Sequence, residues 1–120
     1  MQKRILVVDD NPEMLKLIRL SVNLDPDFQV CGEAFDGMDG VEKAMELNPD
    51  LIILDFQMPR LNGIDAARIL QHRLPDVPII LFTLHDAIFE SSLADSSIRA
   101  VLSKMDGLEV LSGKLHSLLA

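Results

Sequence analysis

Tyrosine and tryptophan are absent from this 120-residue chain, and cysteine occurs once, at Cys31. Without Tyr or Trp the chain is poorly equipped to stack on a nucleotide, flavin or sugar ring. A lone cysteine excludes an internal disulfide, and no signal peptide is evident, so a reducing cytoplasm is expected. The start, Met1-Gln2-Lys3-Arg4 and four apolar residues, has a basic lead. Asp9-Asp10 then cuts the run far short of a signal core or a membrane span. Basic residues are scarce: 11 Lys and Arg stand against 19 Asp and Glu, a net charge of −8. That balance disfavours direct nucleic-acid binding, which needs a basic footprint to displace counterions, and disfavours an anionic membrane. No Walker loop or Gly-x-Gly-x-x-Gly occurs, so nucleotide binding has no motif behind it. Repeats, low-complexity tracts and linkers are missing too. A single domain over residues 1–120 is expected.

What the chain does have is a repeated ending. Ile5-Leu6-Val7-Val8 runs into Asp9-Asp10, Leu51-Ile52-Ile53-Leu54 into Asp55, Ile79-Ile80-Leu81-Phe82 into Thr83, and Ala100-Val101-Leu102 into Ser103-Lys104. Continuous aliphatic and β-branched runs of this length read as strands buried on both faces, the mark of a parallel sheet. In an open α/β sheet ligands bind outside the carboxyl ends of the strands. Polar residues at those ends therefore converge on one site holding three carboxylates, a hydroxyl and an ammonium.

Between the runs the apolar spacing turns helical. Strand one covers Arg4 to Val8. Asn11-Pro12 opens a helix to Asn23, with Pro at a tolerated first-turn position and Met14, Leu15, Ile18 and Val22 on one side. Asp25-Pro26-Asp27 is a turn, and Phe28 to Ala34 a weaker strand. After a turn at Asp36-Gly37, Val41, Ala44 and Met45 mark a second helix ending near Asn48-Pro49. Leu51 to Leu54 is strand three. Asn62-Gly63 is a hairpin signal, but the helical pattern of Ile64, Ala67 and Leu70 makes it a loop leading into a helix. Strand four is Ile79 to Phe82, followed by a weakly patterned helix from Ala87 to Asp95 and strand five at Ala100 to Leu102. Leu108, Leu111, Leu115 and Leu118 stripe a last helix. The expectation is an α/β domain, (βα)5, whose five parallel strands are doubly wound with right-handed crossovers in the order 2-1-3-4-5, the flavodoxin-like arrangement.

In that order strands one and three are neighbours, which brings Asp9, Asp10 and Asp55 together. Clustered carboxylates repel unless a cation joins them. Hard oxygen ligands with room for water suit Mg²⁺, which binds one or two carboxylates plus phosphate. Lys104 supplies a point charge for a phosphoryl oxygen and Thr83 a hydroxyl. A carboxylate in such a setting is suited to accept a phosphoryl group as an aspartyl phosphate. Each residue also has a plainer reading: Asp10 as a helix cap, Thr83 as a strand-end residue, Lys104 as a solvated charge. His72, His116 and Cys31 show no metal-ligand spacing, and the methionines other than Met58 are expected to fill core gaps or cap the start.

Val7-Val8-Asp9-Asp10, Asp55-Phe56-Gln57-Met58-Pro59 followed by Gly63, then Thr83, and Leu102-Ser103-Lys104 resemble the receiver (CheY-like) domain of bacterial two-component response regulators. The resemblance covers essentially the whole chain. It implies Asp55 as phosphoacceptor, with Asp9 and Asp10 holding Mg²⁺ together with Asp55 and the Gln57 backbone carbonyl. Thr83 and Lys104 would bind phosphoryl oxygens, and Pro59 and Gly63 shape the following loop. The implied donor is a phosphohistidine on a sensor histidine kinase or a phosphotransfer protein. Many members carry a DNA-binding output domain, and none is expected within residues 1–120; a homodimer through the fourth-helix face or a neighbouring surface stays open.

Three positions depart from the family pattern. Val101 stands where an aromatic switch residue is usual, and a β-branched aliphatic cannot swing in and out as a ring does. Leu84 follows Thr83 where a small residue is usual, which can hinder a donor or water. Ser96-Ser97-Ile98-Arg99-Ala100 replaces a Gly-rich stretch, and the helix before it, Ile88 to Asp95, is expected to be short. Gln57 and His85 occupy positions that tune aspartyl-phosphate lifetime in the family; an unchanged half-life on substituting both would exclude that role here. The leading expectation is a signalling module rather than an enzyme, switched at the face of its fourth helix, fifth strand and fifth helix. Val101 and Leu84 keep a phosphorylation-independent interaction module as the alternative. A haloacid-dehalogenase-type phosphatase needs Asp-x-Asp, which Asp55-Phe56-Gln57 lacks. A flavodoxin lacks support without aromatic flanks for a flavin.

Overall fold

The apolar runs become strands covered by helices on both sides. A computed structural model describes residues 2–84 and 97–119. In chain order these form β1 (Lys3–Val8), α1 (Pro12–Leu24), β2 (Phe28–Ala34), α2 (Gly37–Leu47), β3 (Leu51–Leu54), α3 (Gly63–Arg73), β4 (Ile79–Thr83), β5 (Ile98–Ser103), a 3-10 turn (Lys104–Asp106) and α4 (Leu108–Leu119). The strands are all parallel in the order β2-β1-β3-β4-β5. This is the doubly wound, flavodoxin-like sheet the sequence predicts. The expected helix at Ala87–Asp95, His85, and the surface that helix would share with β5 lie outside the described residues. Among the described helices none is long and apolar enough to cross a membrane.

Alternation along β1 shows why its run is continuous. Ile5 and Val7 pack with Leu15, Ile18 and Val22 of α1 and Leu111 and Leu115 of α4. Leu6 and Val8 pack on the other face with Ala44 of α2 and Ala66, Ala67 and Leu70 of α3. Both faces are apolar because both are buried, and each aliphatic side chain so buried contributes about 1.5–3 kcal/mol.

Capping side chains fix where the helices start. The Asn11 Oδ1 accepts the N–H groups of Glu13 and Met14 at 2.9 and 3.2 Å, so Asn11 rather than Asp10 caps α1. Asp36 caps α2 through the Asp39 N–H at 2.8 Å, and the helix begins at Gly37, well before Val41. Asn62 caps α3 with Gly63 in its first turn, the loop-to-helix reading of Asn62-Gly63. β5 is longer than its apolar run because Ile98 pairs with Ile79, the register then stepping past Arg99.

The β2 edge is blunted. Its pairing with β1 steps past Cys31, the Val30 N–H donates to Asn23 Oδ1 at 3.0 Å, and Lys43 Nζ donates to the Glu33 carbonyl at 2.5 Å. Side chains thus occupy backbone groups that another strand would need. One packing expectation fails: Met38, Met45 and Met105 are 39%, 42% and 81% exposed rather than filling gaps. Met38 and Met45, two turns apart on α2, share its outer face, and Met105 lies on the turn after β5.

Candidate functional site

Register brings Asp9 and Asp55 side by side. β1 and β3 pair from Ile5–Leu51 to Val8–Leu54. The Asp55 N–H then donates to the Val8 carbonyl at 2.9 Å and the Asp9 N–H to the Ala34 carbonyl at 3.0 Å. Each aspartate is therefore the first residue past a central strand. β4 and β5 pair out to Thr83–Ser103, so Lys104 emerges on the same edge.

The side chains converge. Lys104 Nζ lies 2.7 Å from Asp9 Oδ2 and 3.4 Å from Asp55 Oδ2. Asp9 and Asp55 are only 2% and 7% exposed, whereas Asp10 is exposed. One oxygen from each of Asp9, Asp10 and Asp55 lies within 4.8 Å of the others. Asp9 Oδ1 accepts the Asn11 N–H at 2.9 Å, and Asp55 Oδ1 accepts the Phe56 N–H at 2.9 Å. A cavity of about 290 Å³ opens over this group, walled also by Asn11, Gln57 and Leu84. Thr83 is fully buried at the end of β4, while Leu84 next to it is 60% exposed on the cavity wall.

Burial raises the Asp9 carboxyl above its usual range, against the pull of the Lys104 ammonium and the Asn11 N–H, and the Asp55 charge adds to the rise. Clustered carboxylates call for a cation to join them. Here the chain's own ammonium already joins two of them. Three carboxylates around a cavity with room for water still match a Mg²⁺ donor set, since that ion keeps several waters and takes few protein ligands.

The loop after Asp55 is built around contacts that a side chain would block. A Cβ on Gly63 would overlap the Asp55 carbonyl oxygen and sit 2.9 Å from Phe56 Cα. The Gly63 N–H donates to the Phe56 carbonyl at 2.7 Å. Within the loop the Leu61 N–H donates to the Pro59 carbonyl at 2.8 Å across Arg60, whose φ is 66°. That is a γ-turn centred on a non-glycine residue at positive φ, a strained conformation. Arg60 Nε and Nη2 donate to Asp36 Oδ2 and Oδ1 at 3.0 and 2.9 Å. The Arg60 guanidinium, with the Asp39 N–H, holds the Asp36 carboxyl below the usual carboxylate range, and Asp36 in turn raises Arg60.

Asn11 and the Arg60–Asp36 pair join this neighbourhood beyond the residues expected from the sequence. Asn11 carried a signal, since Asn before Pro is a helix cap that must stand beside Asp9. Arg60 and Asp36 lie 24 residues apart with no spacing rule to link them. Val101 is half-buried against the core on the α2 and α3 side. At the opposite end of the sheet His116 Nε2 meets Asp25 Oδ2 at 2.6 Å, and oxygens of Asp25 and Asp27 lie within 4.8 Å of the ring nitrogen. The histidines showed no metal spacing along the chain, and this grouping is a tertiary one.

The family model for the response regulator receiver domain matches residues 5–115. The chain belongs to that family, whose members are the phosphoacceptor signalling modules of two-component systems. It is 41% identical over 98 residues to a protein-glutamate methylesterase/protein-glutamine glutaminase of Pyrococcus horikoshii, covering 82% of this chain and 25% of that protein. It is 34% identical over 83 residues to the transcriptional regulatory protein DegU of Brevibacillus brevis, covering 69% of this chain and 35% of that protein. The chain thus spans about a quarter to a third of these curated relatives. Among solved structures it resembles the response regulator protein TrrA of Thermotoga maritima in complex with Mg²⁺-BeF. There the TM-score is 0.88 and the identity 30%, over 98% of this chain and 100% of that one. It also resembles the response regulator domain of Thermotoga maritima CheB, with a TM-score of 0.87 and 29% identity over 98% of this chain and 94% of that one.

Proposed function

We propose that Asp55 is the phosphoacceptor of this receiver domain and that Asp9, Asp10, Asp55 and the Gln57 backbone carbonyl hold Mg²⁺. The observation that carries this reading is the placement of Asp55. It sits past a central strand, inside a polar cavity, 3.4 Å from the Lys104 ammonium. An Asp55 carboxylate oxygen attacks phosphorus in a donor phosphoimidazole, forming the acyl phosphate bond as the phosphorus–nitrogen bond breaks. The departing imidazole keeps its electron pair and takes up a proton. Lys104 meets the charge on the phosphoryl oxygens, and Thr83 donates its hydroxyl to one of them. Mg²⁺, when bound, neutralises carboxylate and phosphoryl charge together. The donor is a phosphohistidine protein, either a sensor histidine kinase or a phosphotransfer protein. Residues 1–120 act as one regulatory unit in the cytoplasm.

An aspartyl phosphate adds charge where Lys104 already bridges two carboxylates. Drawing Lys104 toward the phosphoryl group weakens its contact with Asp9, and that local change biases the fold between two states. Val101, half-buried against the core, offers no ring to report it. The output is contact with a partner domain or protein. Relatives that bear this region are named for a methylesterase/glutaminase and for transcriptional regulation, which gives two kinds of output for such a switch. NMR titration with Mg²⁺ and BeF₃⁻ tests the assignment. Shifts centred on Asp9, Asp10 and Asp55 with Mg²⁺ alone, and further shifts reaching Lys104 with BeF₃⁻ only when Mg²⁺ is present, support it, and a spectrum unchanged by both refutes it.

A further inference from the structure

The loop 56–62 is fastened at three points. Its base is closed by the Gly63 N–H on the Phe56 carbonyl. Its Leu61 carbonyl presses on the first turn of α2, where a Cβ on Gly37 would overlap it. Its Arg60 reaches Asp36 with two N–H groups at 3.0 and 2.9 Å. A planar guanidinium on a carboxylate fixes orientation as well as distance. Asp36 is itself held in place as the α2 cap, so the pair anchors the loop to a helix end. Arg60 keeps φ at 66°, a conformation that persists only where the surroundings impose it. Gln57, on the cavity wall, stands three residues before it on the same loop.

We propose that the Arg60–Asp36 pair is a positioning device for the acidic site. By anchoring the loop to α2 it keeps the Gln57 backbone at the cavity wall and so sets the affinity of the site for Mg²⁺. The inference rests on the Mg²⁺ reading above. Arg60 and Asp36 act through Gln57, at one remove from the ion. Partners that orient metal ligands from outside typically change affinity by about ten- to a hundredfold when lost.

Calorimetric titration with Mg²⁺, well below the unfolding temperature, tests this on the wild type, Arg60→Gly, Arg60→Lys and Asp36→Asn. Arg60→Gly removes the fork and relieves the positive φ. Asp36→Asn keeps a capping oxygen and removes the charge. The two substitutions change the net charge in opposite directions, so a purely electrostatic effect strengthens Mg²⁺ binding in the first and weakens it in the second. Lost positioning weakens it in both, by about tenfold. Arg60→Lys, which keeps the charge without the fork, falls between, and the double variant binds no more weakly than either single one. Affinities that match the wild type in both single variants, with only the unfolding midpoint moved, overturn the proposal. Opposite shifts overturn it as well. A wild type that binds no Mg²⁺ overturns the metal reading and this inference with it.

Discussion

Lys104 Nζ lies 2.7 Å from Asp9 Oδ2, with 9% and 2% of the two side chains exposed. A nearly buried ion pair is costly to break from one side, because the remaining charge stays desolvated. Here Lys104 also stands against Asp55, so its loss leaves a cluster of carboxylates with no joining cation. Lys104→Met is expected to destabilise the fold by about 3 kcal/mol in Mg²⁺-free buffer. If the carboxylates hold Mg²⁺ as proposed, the added ion is expected to return part of that loss by binding the folded state. Urea midpoints with and without the ion measure both.

Asp36 gives a pH dependence with a defined sign. Its folded pKa is depressed, by Arg60 first and the Asp39 N–H second. A depressed carboxyl adds stability above its unfolded value, near 3.8, and that contribution is lost as pH falls through the folded pKa. Wild type is therefore expected to exceed Asp36→Asn in stability at neutral pH. The difference shrinks below the unfolded value and vanishes at still lower pH. Denaturant titrations of the pair from neutral to strongly acid buffer follow it.

Two glycines give opposite outcomes. Gly63→Ala drives a Cβ into the backbone of Asp55 and Phe56, which cannot yield as a side-chain tip can. A loss of about 3 kcal/mol is expected, together with weaker Mg²⁺ binding. Gly113 lies within α4 with nothing within 4 Å of a Cβ. Gly113→Ala is expected to stabilise by roughly 0.5–1 kcal/mol. Thermal unfolding of the two variants side by side reads the contrast.

Leu84 is 60% exposed on the wall of the acidic cavity. Leu84→Ala widens the mouth without touching a charge. Phosphorylation by acetyl phosphate is expected to speed up, and loss of the phosphoryl group to water to speed up with it. Intact-mass time courses give both rates. Equal rates in the two proteins would mean that Leu84 does not gate the site.

The sheet was legible because its strands are buried on both faces, so each run of Ile, Leu and Val could be read without deciding which side faced water. The acidic site was legible for a related reason. Asp9 and Asp55 directly follow such runs and Lys104 stands one residue further on, and parallel pairing puts the ends of those runs on one edge. Contacts set by how separate βα units pack were not legible. Arg60 meets Asp36 and His116 meets Asp25 across 24 and 91 residues. No local pattern encodes those distances. The start of α2 was missed because Asp36-Gly37 reads equally as a turn or as a cap with a first helical residue. The exposed methionines were misjudged because an unbranched apolar side chain is compatible with either environment.

The central claim is that Asp55 takes a phosphoryl group with the help of Mg²⁺. Incubation with acetyl phosphate and Mg²⁺, followed by intact-mass measurement of wild type and Asp55→Ala, tests it most directly. The account predicts one added phosphoryl group in the wild type, absent from the variant and absent when Mg²⁺ is withheld. The same addition to Asp55→Ala, or none to a folded wild type that also fails to bind BeF₃⁻, would contradict it.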